Sequence, residues 1–123
     1  MNRTPGSSPA VPPPAGPYSQ SARIGSFVAS SGQAGFLPDG SLPDDVAEQT
    51  RLALTHVREA LAASAAGLDQ VLHMRIYLTD PSQFPTMNEV YTEFFDAPYP
   101  ARTTVYVTLP PGMFVEIDAL AVV

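Results

Sequence analysis

From Val71 to Thr79 apolar and polar side chains alternate. Leu72, Met74, Ile76 and Leu78 fall on one side, and Val71, His73, Arg75, Tyr77 and Thr79 on the other. A period of two marks a strand with one face on a core. The last quarter, Tyr99 to Val123, alternates in the same way about Pro110-Pro111-Gly112, which predicts two strands joined as a hairpin. Thr103, Val105 and Val107 then match Met113, Val115, Ile117, Ala119 and Ala121 on the core side. Arg102, Thr104 and Tyr106 share the other side with Phe114, Glu116, Asp118, Leu120 and Val122. Matching the apolar faces sets Val105 opposite Ile117 and Glu116 opposite Tyr106. Between Asp44 and Ala66 the period changes to that of a helix, with Val46, Thr50, Ala53, Leu54, Val57, Leu61 and Ser64 on one stripe. Ser41 and Asp44 supply a capping box, and Gly67 the left-handed stop. Asp80-Pro81 opens a second helix striped by Phe84, Met87, Tyr91, Phe94 and Phe95. Upstream, a turn at Ile24-Gly25-Ser26 predicts a short hairpin of residues 18–23 and 26–31, and Phe36 to Gly40 a second turn.

The order strand, strand, helix, strand, helix, strand, strand predicts an α+β fold, one sheet with both helices on its apolar face. The opposite face carries His73, Arg75, Tyr77, Arg102, Glu116 and Asp118 among apolar side chains. It is too charged for the core of one chain and too apolar to stand in water, so it predicts a closed homo-oligomer. Residues 1–15 are Pro, Ser and Gly with little to bury and predict a disordered arm, which leaves residues 16–123 as the domain.

Composition narrows the chemistry. The 123 residues suit one domain. Cysteine and lysine are both absent from the sequence, which removes thiolate nucleophiles, Cys-based zinc sites and lysine Schiff bases. The net charge of −6 without a basic stripe argues against nucleic acid as a partner and towards small molecules or further copies of the chain. No run approaches a membrane span and no apolar leader opens the chain, so a cytoplasmic location is expected. Two histidines distant in sequence make no metal site, and neither a phosphate-cradling glycine loop nor a nucleophile elbow is found.

What remains is Arg102 and Glu116, two charges in strands that otherwise read as apolar. The hairpin register separates them by four residues, roughly 13 Å at about 3.3 Å per residue. That is long for one chain to grip one small molecule, and an arginine facing the carboxylate of the next subunit is the simpler geometry. An interface salt bridge would use the same two residues. Arginine's planar fork suits a bidentate grip on a carboxylate, which favours a binding site. His56, on a helix flank, reads as solvent-exposed, and His73 as an interface residue.

Several motifs in order carry a family resemblance. They are Gly16-Pro17-Tyr18-Ser19-Gln20, Ser31-Gly32-Gln33, Glu48-Gln49-Thr50, Asn88-Glu89-Val90-Tyr91, Phe94-Phe95, Pro100-Ala101-Arg102-Thr103-Thr104 and Val115-Glu116-Ile117-Asp118-Ala119. Together, over residues 16–122, they resemble the RidA (YjgF/YER057c-type) family of reactive-intermediate deaminases. The resemblance implies a chorismate-mutase-like fold, a homotrimer with a central barrel and three clefts between subunits. It also implies cofactor-free hydrolysis of enamine or imine acids, of the 2-iminobutanoate and 2-iminopropanoate type, to 2-oxo acids and ammonia. On the matching positions, Arg102 would bind the substrate carboxylate with help from the backbone at Thr104. Glu116 would orient water, and Tyr18, Gly32 and Asn88 would line the cleft. The sequence departs from the family in having Thr104 where Cys is frequent, His56 where Asn is frequent, and a turn at residues 107–110 one residue shorter, as in a divergent subgroup. A non-catalytic metabolite-binding or regulatory protein using the same clefts is the alternative reading.

Overall fold

The computed structural model describes residues 2–123. Its strands are β1 (Thr4–Gly6), β2 (Ser21–Ile24), β3 (Phe27–Ser30), β4 (Gln33–Ala34), β5 (Val71–Leu78), β6 (Ala101–Tyr106) and β7 (Val115–Val122). Its helices are α1 (Val46–Ala62) and α2 (Phe84–Tyr91). The strands form one mixed sheet in the order β1-β2-β3-β7-β5-β6, with β4 continuing the line of β3 along β7. Strand β7 is the hub, antiparallel to β3, β4 and β5, while β5 and β6 run parallel. The predicted α+β arrangement therefore holds.

Alternation builds the core as expected in β5 and β7, whereas in β6 the side expected in the core, Thr103 and Val105, is the exposed one. Met74, Ile76 and Leu78 of β5 and Val115, Ile117, Ala119 and Ala121 of β7 are buried. Against them pack Leu54, Val57 and Leu61 of α1 and Met87, Val90 and Tyr91 of α2. Each large side chain so buried contributes about 1.5–3 kcal/mol. The N-cap of α1 is Asp45, whose carboxylate accepts from the Glu48 N–H at 3.1 Å, rather than the predicted Ser41/Asp44 box. At the other end the left-handed residue is Ala65 (φ 62°) and not Gly67. The Ala66 and Ala65 N–H groups donate to the carbonyls of Leu61 and Ala62 at 3.0 Å each, closing the helix two residues early. A left-handed alanine costs about 1 kcal/mol, which those two bonds offset.

Three further expectations are corrected. The closing hairpin does not exist, because β5 lies between β6 and β7. Arg102 is opposite Met74 of β5, and Glu116 is opposite Tyr77. Alternation defines the two faces of a strand but not which strand lies beside it. Residues 107–114 cross the end of β5, held by the buried side chain of Gln49. Its amide donates to the Gly112 carbonyl at 2.7 Å, and its oxygen accepts from the Phe114 N–H at 2.8 Å.

Residues 4–15, expected to be a loose arm, are ordered. Strand β1 pairs with β2, and Val11 is buried. The cause is Gln20, 4% exposed, whose side chain accepts from the Ser8 N–H at 2.6 Å and donates to the carbonyls of Ser8, Val11 and Pro12. A proline-rich segment offers carbonyls without matching N–H groups, and the two N–H groups of one primary amide are shared among three of them. Gly6 permits the close approach: a Cβ there would run into Ser21 Oγ and Ser64 Oγ and lie 3.1 Å from the Ala63 backbone. Finally, Leu72 is 58% exposed instead of buried, since the β5–β7 register shifts between Val71 and His73.

Candidate functional site

Residues opposite each other in a sheet share a face, so the registers decide which side each candidate occupies. Met74 is core, and its partner Arg102 therefore lies on the helix side; Tyr77 looks away from the helices, and so does Glu116. Arg102 and Glu116 were expected on one face and are on opposite faces. Two strand spacings and three residues separate them, about 14 Å between Cα atoms. The single chain holds two separate candidate half-sites.

The first half-site is built by β6 and α2. Phe84, Met87 and Tyr91 recur at helical spacing and present one stripe to the edge of the sheet, where Arg102 meets them. The guanidinium carbon lies 4.8 Å from the centre of the Tyr91 ring and 5.7 Å from that of Phe84, and Nη1 lies 4.0 Å from Met87 Sδ. Among the described residues no carboxylate pairs with it. A pocket of about 330 Å³ opens beside it, lined by Asn88, Tyr91, Thr92, Tyr99 and Pro100. Asn88 and Arg102 thus line the same pocket. Thr104 lies on the same face two residues along, its Oγ1 buried without a partner. Strand β6 is the sheet edge, so its outer row of backbone groups pairs with no strand among the described residues.

The second half-site is on the other face. Ser30 Oγ accepts from the Ala119 N–H at 3.0 Å where β3 gives way to β4, and the break places Gly32 over Glu116. A Cβ on Gly32 would lie 2.9 Å from Glu116 Oε2, so only glycine leaves that carboxylate its position. Burial, and then the charge of Asp118, push the Glu116 carboxyl above the usual carboxylate range. Asp118 is itself held by Arg75 Nε at 2.7 Å and by the Tyr77 hydroxyl at 3.4 Å. Burial first, with Asp118 next, also raises Tyr77. Tyr18 is 49% exposed, and among the described residues no hydrogen bond joins it to Arg102 or to Glu116. Its hydroxyl accepts from the Ala15 N–H at 3.0 Å.

His73 lies on the open face, 3.2 Å from Thr103 Oγ1. His56, expected in solvent, is buried and bonds the Phe36 carbonyl at 2.9 Å, which places the proton on Nε2. Among the described residues no group of three or more metal-ligating side chains converges, and no helix is long and apolar enough to cross a membrane. The seat of Arg102 went unrecognised in the sequence, where Phe84, Met87 and Tyr91 read only as a core stripe. The available signal was that the next strand begins with an arginine lacking any nearby acid.

Comparison with known proteins gives the arrangement a context. Residues 9–123 match the family described as Endoribonuclease L-PSP. The putative reactive intermediate deaminase TdcF of Escherichia coli K12 is 41% identical over 112 residues, covering 87% of each chain. The 2-iminobutanoate/2-iminopropanoate deaminase of Dermatophagoides farinae is 35% identical over 120 residues, 95% of this chain and 94% of that one. The crystal structure of E. coli TdcF with bound serine superposes with a TM-score of 0.92 at 38% identity over 98% of both chains. With a match that spans nearly the whole sequence and the same fold throughout, the chain belongs to the L-PSP (YjgF/RidA) family.

Proposed function

We propose that the protein is a cofactor-independent deaminase that hydrolyses enamine or imine acids of the 2-iminobutanoate and 2-iminopropanoate type to 2-oxo acids and ammonia. It works as a homotrimer whose sites lie between subunits. The observation that carries this reading is the placement of Arg102 and Glu116 on opposite faces of one sheet, each in a half-built site. A closed ring of copies brings the arginine of one chain to the acid of the next. Relatives named as deaminases of this kind support the chemistry.

In the reaction, Arg102 grips the substrate carboxylate with its fork, helped by the free backbone edge near Thr104 and by Asn88. Glu116 of the neighbouring chain stabilises the iminium and takes a proton from water as its oxygen attacks the imine carbon. The resulting carbinolamine then expels ammonia as its C–N bond breaks, leaving the 2-oxo acid. A carboxyl held above its ordinary range can carry the proton from water to the leaving amine. Free imines hydrolyse unaided, so positioning and one acid suffice. The bound serine in the crystal structure of E. coli TdcF also favours the second reading, a metabolite-binding role for the same cleft. The family is named for a ribonuclease, but a net charge of −6 opposes RNA binding here.

The test is ammonia release from imines generated in situ. Wild type accelerates it, while Arg102→Ala and Glu116→Gln each lose most of the rate. Mixing the two inactive variants and letting the subunits exchange should restore roughly a quarter of the activity, since one intersubunit site in four pairs an intact arginine with an intact acid. No recovery on mixing would place both groups within one chain's site, and no acceleration by wild type would leave the binding role.

A further inference from the structure

We propose that Tyr91 is the positioning residue of Arg102: its ring, seconded by Phe84, holds the guanidinium in the cleft and so sets the protein's affinity for the substrate carboxylate. This rests on the reading that Arg102 grips that carboxylate. A long side chain must be immobilised before it can bind well, because freezing its rotamers on binding costs affinity. An arginine is commonly fixed by an acid, and Arg51 shows the arrangement on this molecule. Its Nε and Nη2 bond Glu93 at 2.9 and 2.8 Å. An acid, however, occupies the donors that the substrate needs and cancels the charge that attracts it.

Arg102 is held otherwise. Two ring faces and a thioether surround the guanidinium at 4.8, 5.7 and 4.0 Å. The π faces attract the cation without using an N–H, so apart from the Nη1–H directed at the Met87 sulfur the fork stays available to an anion in the adjoining pocket. Tyr91 is the principal member. It is the nearer ring, it is 4% exposed, and it is braced from behind by Phe95, with ring centres 4.7 Å apart and planes at 26°. Phe84 is the less buried of the two rings. The Tyr91 hydroxyl is buried without a partner, so it is the ring face and not the hydroxyl that acts here.

Kinetics and NMR test the assignment. Tyr91→Leu should raise KM roughly five- to thirtyfold while leaving kcat largely intact, and Tyr91→Phe, which keeps the π face, should rescue most of that loss. In parallel, the Nε–Hε signal of Arg102 in 15N-arginine-labelled protein, assigned by its absence in Arg102→Lys, should report a rigid side chain in wild type and Tyr91→Phe and a mobile one in Tyr91→Leu. If Tyr91→Leu does not fold, Phe84→Leu serves, with a smaller rise in KM. An unchanged KM and a still rigid Arg102 in the leucine variant would overturn the proposal, as would a phenylalanine variant as impaired as the leucine one. Should wild type turn over no imine, the functional reading fails, and the NMR comparison alone decides whether the rings hold the arginine.

Discussion

Glu116 shows how a single carboxylate takes its properties from its neighbours. It is half-buried under Gly32 and two residues from Asp118, and both effects favour its neutral form. A carboxyl whose folded pKa is raised contributes stability that is fully present below its unfolded value, near 4.5, and lost as pH rises through the folded value. Glu116→Gln removes that loss. The variant should therefore melt close to wild type at pH 4 and above it at pH 7.5, as checked by thermal unfolding at the two pH values. A variant less stable than wild type at pH 7.5 would show that Arg102 of the neighbouring chain, in the proposed trimer, outweighs burial and holds the ionised group. The candidacy of this glutamate was legible in the sequence, because a charge in an apolar strand needs a reason. Its raised pKa was not, since that depends on Gly32, brought over it by β4 from more than eighty positions away.

At the scale of elements, two glutamines do work that their sequence positions conceal. Gln49 fastens the segment ahead of β7, and Gln20 fastens the N-terminal residues beneath β2. Gln20→Ala leaves buried or half-buried carbonyls of Ser8, Val11 and Pro12 without that donor, and should lower stability by about 2 kcal/mol. Urea unfolding gives the magnitude, and faster amide hydrogen exchange over residues 4–12 would locate it. A loss without local exchange would place the effect elsewhere. Apart from β1 and β4, which were not expected, helices and strands were legible to within a few residues, because periodicity records burial directly. The closing hairpin was not. Parallel pairing of β6 with β5 is a long-range choice made through the α2 crossover, and alternation has the same appearance whichever strand lies alongside. The same error of neighbour put Arg102 on the face of Glu116.

The whole molecule leaves one sheet face without helices. It presents Ile24, Phe27, Leu120, Val122 and Val105, with Phe27 59% exposed, around the Arg75–Asp118 pair. Such a surface fits the proposed trimer, in which copies cover it. Leu120→Glu, at its centre opposite His73 and Ala29, should shift light scattering from trimer to monomer and abolish imine turnover with it. A monomeric variant with full activity would remove the shared site. Taken by itself, the sequence determined most of the secondary structure, the two-sided sheet and the chemistry that is possible with neither cysteine nor lysine, since burial period and side-chain inventory are properties of the chain alone. Only the tertiary structure decided that β5 separates β6 from β7, that residues 4–15 are packed, and that Arg102 and Glu116 lie on opposite faces. Each of those follows from which strand pairs with which, a competition among distant segments that local alternation does not record.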